Sequence, residues 1–165
     1  MESTFIIIRG NAASGKTTAA KLLHEQLGGG NAVLISQDVV RREMLGVKDT
    51  KENLAINLIK NIAMYGKECC HYVILEGIFK TTIYNELFTE LYDLFEHRVF
   101  AYYFDISFQE TLSRHKKREK SQEFGEEAMK RWWIEKDLLN RSGEYLFTKD
   151  QSEKEIVSKI LNDIG

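Results

Sequence analysis

Between Gly10 and Thr18 the chain reads G-N-A-A-S-G-K-T-T, and the types and spacing of these residues define a phosphate-binding chemistry. Gly10, Asn11, Ala12, Ala13, Ser14, Gly15, Lys16 and Thr17 fit G-x-x-x-x-G-K-T, the Walker A loop. Glycines and small side chains let successive backbone N–H groups turn inward and cradle phosphate oxygens. Lys16 supplies a point charge for the β- and γ-phosphates, and the Thr17 hydroxyl is placed to ligate Mg²⁺. Thr18 continues into a helix whose positive N-terminal end faces the same anion. The expected ligands are ATP and Mg²⁺.

Three further groups stand where an acceptor and a charge-neutralising lid belong. Asp38 follows the apolar run 32–36 by two residues, and Arg41 lies one helical turn beyond it. A carboxylate there can take the proton of an attacking hydroxyl. An arginine there can hold an anionic substrate group through paired hydrogen bonds. The same spacing also suits Asp38 as a helix cap beside a solvated Arg41. Glu76 ends the run Y-V-I-L in a Walker B position, where an acid serves Mg²⁺ through water or orients the acceptor; capping of the next helix is the other reading. Arg114 and Arg118 fall four apart in the polar stretch 107–120, on one helix face, and suit an arginine-finger role over the phosphates. A solvated helix or a nucleic-acid patch would show the same charge pattern. Lys116, Lys117 and Lys120 read as solvated. His24, His71, His97 and His115 have no zinc-ligand spacing, and His115, beside Arg114, is assigned no phosphate contact.

These groups need a scaffold that presents strand ends. Strand-like runs at 5–8, 32–36, 72–77, 99–104 and 145–148 alternate with helical patterns, which predicts a doubly wound parallel sheet with ligands outside the strands' carboxyl ends. Helices are expected over 17–27, 50–67, 81–96, 107–120, 126–139 and 152–164. In the second of these, Leu54, Leu58, Ile62 and Tyr65 form a core-facing stripe that Gly66 closes. Ser107 with Glu110, and Ser152 with Glu155, have capping-box spacing. Trp132 and Trp133 fit packing of a lid at about 107–140 against the body, with base stacking as the alternative.

The 165 residues predict one domain, 1–165. Apolar residues make up 43% and charged residues 29%, with net charge −2, so the chain reads as globular rather than as a nucleic-acid coat. No run of about 18 apolar residues is present, so no membrane span is expected. The first strand begins within a few residues, leaving no room for a signal peptide. Cys69 and Cys70 are adjacent and read as free, at least partly buried thiols. A cytoplasmic setting follows; composition leaves the oligomeric state open.

The segments F-I-I-I-R-G-N-A-A-S-G-K-T-T, S-Q-D-V-V-R-R, V-I-L-E-G, E-T-L-S-R-H-K-K-R and E-F-G-E-E-A-M-K-R-W-W together resemble the small P-loop kinases of the AAA_33, zeta-toxin-like and chloramphenicol phosphotransferase-like group, over roughly residues 4–162. The resemblance implies a five-stranded parallel sheet in order 2-3-1-4-5 with a helical lid. It implies that Asp38 is the general base for an acceptor hydroxyl, that Arg41 contacts the acceptor, and that Arg114 and Arg118 are lid arginines near the phosphates. The expected activity is ATP-dependent phosphoryl transfer to a hydroxyl of a small molecule such as a nucleoside, antibiotic or metabolite. The alternatives are a nucleotide-binding or -hydrolysing regulatory module and a polynucleotide 5′-hydroxyl kinase. The first predicts an N/T-K-x-D base-reading motif, and Thr148-Lys149-Asp150 lacks its spacer.

Overall fold

The computed structural model describes residues 2–96, 98–118, 122–141 and 143–165; His97 and Lys120 lie outside them. Its centre is β1 (Thr4–Gly10), all seven residues of which are buried. Phe5, Ile6, Ile7 and Ile8 are wholly inaccessible, each contributing about 1.5–3 kcal/mol of burial. Parallel strands flank it on both sides: β3 (Tyr72–Gly77) and then β2 (Ala32–Ser36) on one, β4 (Val99–Phe104) and then β5 (Tyr145–Phe147) on the other. The order is β2-β3-β1-β4-β5, as expected.

Strand alternation divides the core. Ile6 and Ile8 pack with α1 (Lys16–Leu27) and α6 (Glu153–Ile164), whereas Phe5 and Ile7 pack with α2 (Leu54–Cys69) and α3 (Thr81–Phe95). Connections leaving β1 and β3 therefore depart to opposite faces, opening a crevice at their carboxyl ends. Between β4 and β5 lie α4 (Phe108–Lys116) and α5 (Glu126–Trp132), the segment expected as a lid. Both serine caps form. Ser107 accepts from the Glu110 N–H, and Ser152 and Glu155 make the reciprocal capping box.

Four local expectations need correction. First, α2 does not bury Leu54 and Tyr65, which are 65% and 67% exposed. The face against the sheet is Ala55, Ile59, Ala63 and Gly66, with Leu58 and Ile62 on its flanks. The helix lies so close to β2 and β3 that a Cβ on Gly66 would fall 2.5 Å from Val33 Cγ1 and 2.9 Å from Val73 Cγ2. Small residues win that face, and Gly66 sits inside the helix rather than ending it. Second, α5 stops at Trp132 instead of running to residue 139, because Trp133 turns to extended backbone. Third, α4 ends at Lys116 instead of running to residue 120, so Arg118 lies beyond it and not on one helix face with Arg114. The helix after β2 is π-wound over Val39–Met44, with the Leu45 N–H bonded to the Val40 carbonyl; such turns concentrate at functional sites. Fourth, Cys69 is exposed and only Cys70 is partly covered.

Candidate phosphate-binding and transfer site

The phosphate loop joins β1 to α1 in a conformation its small residues permit. Gly15 has φ 102°, a region costly for any residue with a Cβ, and a Cβ there would lie 3.4 Å from Arg114 Nη1 and 3.6 Å from the Phe104 ring. Ala13 also adopts positive φ. Alternation of hand along 13–15 turns successive N–H groups toward one point, the geometry of an anion nest. Lys16 begins α1, is largely buried, and donates from Nζ to the Asn11 carbonyl at 3.2 Å. The ammonium thus lies along the loop that Asn11 opens.

Thr17 Oγ1 donates to Glu76 Oε2 at 3.1 Å. Glu76 is 3% exposed at the end of β3, the strand beside β1. A hydroxyl and a carboxylate so paired are a hard oxygen donor set of the kind Mg²⁺ takes, and the small residues of the loop suit a phosphate cradle. The residues present therefore fit Mg²⁺ and a nucleoside triphosphate.

Asp38 stands one strand further out, beyond β2. At about 4.8 Å between neighbouring strands it is displaced laterally from the loop by about 10 Å. Its backbone is already helical (φ −63°, ψ −41°) and its side chain makes no capping bond, so the cap alternative does not hold. Instead Arg41 Nη2 pairs with Asp38 Oδ1 at 3.5 Å, and Arg41 Nη1 donates to the Val47 carbonyl at 3.0 Å. The Asp38 carboxylate is half exposed, so the pair contributes at most about 1 kcal/mol to stability.

On the other side of the loop, Arg114 Nη1 donates to the Ser14 carbonyl at 2.8 Å while its Nε pairs with Glu110 at 3.0 Å. Burial, and secondarily the neighbouring Arg114 charge, pull the Arg118 guanidinium below its ordinary value. Of the two, Arg114 is the one that contacts the phosphate loop through a hydrogen bond. Lys116 and Lys117 are exposed. His115, to which the sequence assigns no role, is buried, stacks on Phe124 at 4.4 Å, and donates from Nε2 to the Phe124 carbonyl at 2.7 Å. Trp132 meets Phe124 edge-on and Trp133 meets Phe108, so both tryptophans pack aromatic partners of the lid.

Asn11, expected in the phosphate loop, makes a further tie, while Gln37, Tyr84 and Arg9 escaped the sequence reading. The Asn11 side chain accepts from the Ile134 N–H at 2.9 Å and donates to the Ile134 carbonyl at 2.7 Å, tying the loop to the segment after the lid. Gln37, buried beside Asp38, accepts from the Phe79 N–H at 3.1 Å. Tyr84 bonds Asp49 and receives a bond from the α2 cap Asn53. Arg9, wholly buried, bonds Glu144, Asp137 and the Phe79 carbonyl. Only Arg9 carried a signal, since a cation in an otherwise apolar central strand must find partners when buried. A groove of about 1030 Å³ between α2 and α3, bordered by Asn53, Asn57 and Arg141, contains no phosphate-loop residue.

Sheet order, flanking helices and phosphate loop together define the P-loop NTPase kinase fold. A family model described as an AAA domain, AAA_33, matches residues 5–133, and the chain belongs to that family. No curated protein matches it. Among solved structures it is similar to a gluconokinase from Sinorhizobium meliloti 1021 at 13% identity and TM-score 0.71, covering 99% of this chain and 92% of that one. It is similar to the Deinococcus radiodurans tunicamycin resistance protein at 16% identity and TM-score 0.68, covering 99% and 96%. It is also similar to the Mycobacterium tuberculosis APS kinase CysC, solved with AMPPNP and APS, at 15% identity and TM-score 0.65, covering 98% and 96%. At these identities the likeness is one of fold.

Proposed function

We propose that this protein is an ATP-dependent phosphotransferase acting on a hydroxyl of a small molecule. The observation that carries this reading is the order of groups along one sheet edge: Arg114 on the phosphate loop, Glu76 on Thr17, and the Asp38–Arg41 pair one strand beyond. A donor held at β1 and an acceptor held past β2 would face each other across β3. The structural neighbours support a small acceptor, since a gluconokinase and an APS kinase are among them.

In this reading Lys16 and the loop N–H groups hold the β- and γ-phosphates. Asp38 accepts the acceptor's hydroxyl proton as that oxygen bonds to the γ-phosphorus, and the bond from the γ-phosphorus to the bridging oxygen breaks to release ADP. Arg41 orients the acceptor. Arg114 and Arg118 offset the charge gathering on the transferred group, so catalysis is mainly positioning and electrostatics. Mg²⁺ held at Thr17, with Glu76 behind it, would neutralise phosphate charge.

The test is ADP release from Mg·ATP with a panel of sugar acids, nucleosides, hydroxylated antibiotics and a 5′-hydroxyl oligonucleotide. A small hydroxyl compound should stimulate turnover. Lys16→Ala should abolish turnover with the fold kept, and Asp38→Asn should remove transfer while nucleotide still binds. Stimulation by the oligonucleotide alone, or transfer surviving in Asp38→Asn, would overturn the assignment.

A further inference from the structure

Arg9 immediately precedes the phosphate loop, yet the hydrogen bonds of its side chain all go to residues outside the loop. Its guanidinium meets two separate parts of the chain. Nη2 donates to the Phe79 carbonyl at 3.0 Å, in the β3–α3 connection, and to Asp137 Oδ2 at 3.3 Å. Nη1 donates to Glu144 Oε1 at 2.8 Å. The rings of Phe88 and Tyr103 enclose it, at 5.8 and 5.6 Å. Each acid is held in turn. Asp137 accepts from the Thr81 N–H at 2.8 Å and from its hydroxyl at 2.6 Å, and Glu144 accepts from the Leu139 N–H at 2.6 Å.

Phe79 has φ 47°, a left-handed conformation costly for a bulky residue. Such backbone persists only where its surroundings over-determine it. Here the Phe79 N–H is held by Gln37 and its carbonyl by Arg9. Gln37 adjoins Asp38, and Arg9 adjoins Gly10. The strained peptide therefore stands between the neighbours of the donor loop and of the candidate base. The segment that returns from the lid is bound into the same node through Asp137 and Glu144.

We infer that Arg9 is a positioning residue that holds the β3–α3 connection and the post-lid residues 134–141 and Glu144 in register with the phosphate loop, and so sets the rate of transfer rather than nucleotide affinity. The kinetic half of this statement rests on the phosphotransferase reading; the mechanical half does not. A displacement of about 1 Å in such a scaffold lowers transfer by roughly 100-fold without touching a reacting atom.

The test compares Arg9→Met with Asp137→Asn, which sits at the partly exposed rim and keeps an acceptor for Thr81, and with Asp137→Glu. Hydrogen exchange is followed in 78–81, 134–141 and α1, with Mg·AMPPNP affinity and transfer measured alongside. In both disruptive variants, exchange in 78–81 and 134–141 should rise together, about tenfold or more, with α1 unchanged. Affinity should stay within about threefold, transfer should fall roughly 10- to 100-fold, and Asp137→Glu should recover part of it. If Arg9→Met does not fold, Asp137→Asn alone decides. Exchange rising in one segment without the other, or affinity and transfer falling in parallel, would overturn the inference. Should no acceptor support turnover in the wild type, the phosphotransferase reading fails, while the exchange and affinity arms still decide whether Arg9 couples the two segments.

Discussion

Gly77 is the position where a single added methyl group tests the close packing behind the site. A Cβ there would fall 2.5 Å from Gln37 Oε1, 2.6 Å from Gln37 Cβ and 2.8 Å from Phe79 Cε2. Gln37 could swing its amide aside, but its Cβ belongs to the chain end of β2 and the Phe79 ring is wholly buried. Overpacking of this kind costs about 1–3 kcal/mol. Displacing the amide also loses the bond from the Phe79 N–H, about 0.5–1.5 kcal/mol. The smaller entropy of the unfolded alanine chain offsets about 0.4–1 kcal/mol. Gly77→Ala should therefore destabilise the protein by about 2 kcal/mol, lowering Tm by roughly 4–8 °C for a chain of this size. Thermal and urea melts measure the loss. Because Glu76 and Gln37 flank the overlap, transfer should also fall. The Gly77→Ala/Gln37→Ala pair should recover the amide overlap but not the Cβ contact, leaving a coupling of at least about 0.5 kcal/mol. A Gly77→Ala protein melting within about 1 °C of wild type, with transfer unchanged, would refute the packing argument.

Glu76→Gln keeps an acceptor for Thr17 but removes the charge, so the Mg²⁺ concentration for half-maximal turnover should rise about tenfold with metal-free nucleotide affinity unchanged; a higher acceptor KM instead would assign Glu76 to the acceptor. Burial, then the Asp49 hydrogen bond, pushes the Tyr84 phenol up to about 12. Its unfolded counterpart ionises near 10, so the stability it contributes is complete below about pH 10 and lost as pH rises to 12; Tyr84→Phe should flatten the alkaline limb of a stability–pH curve. Leu54→Glu, on an exposed first turn, should change stability by no more than about 0.5 kcal/mol, whereas Ile59→Ala should cost about 2–5 kcal/mol. The reverse ranking in urea melts would restore the stripe through Leu54.

Local sequence determined the phosphate loop, because its nest depends on small residues within one short segment. Alternating strand and helix runs determined a doubly wound parallel sheet, whereas the order of its strands was legible only through the resemblance to a family. Asp38, Arg41, Glu76 and Arg114 were legible as charged residues at strand ends and in a helical lid, since strand ends converge on one edge in any doubly wound sheet. The face of α2 was not legible. Leucine and tyrosine spacing pointed one way, but the short distance from helix to sheet selected Ala55, Ala63 and Gly66, and that distance is set by Val33 and Val73 on other elements. The partners of Arg9 were not legible either. They lie 128 and 135 residues away, and no local pattern pairs a cation in β1 with Asp137 and Glu144. Tertiary structure alone decided them, because a buried charge takes whatever counter-charges the fold brings within reach.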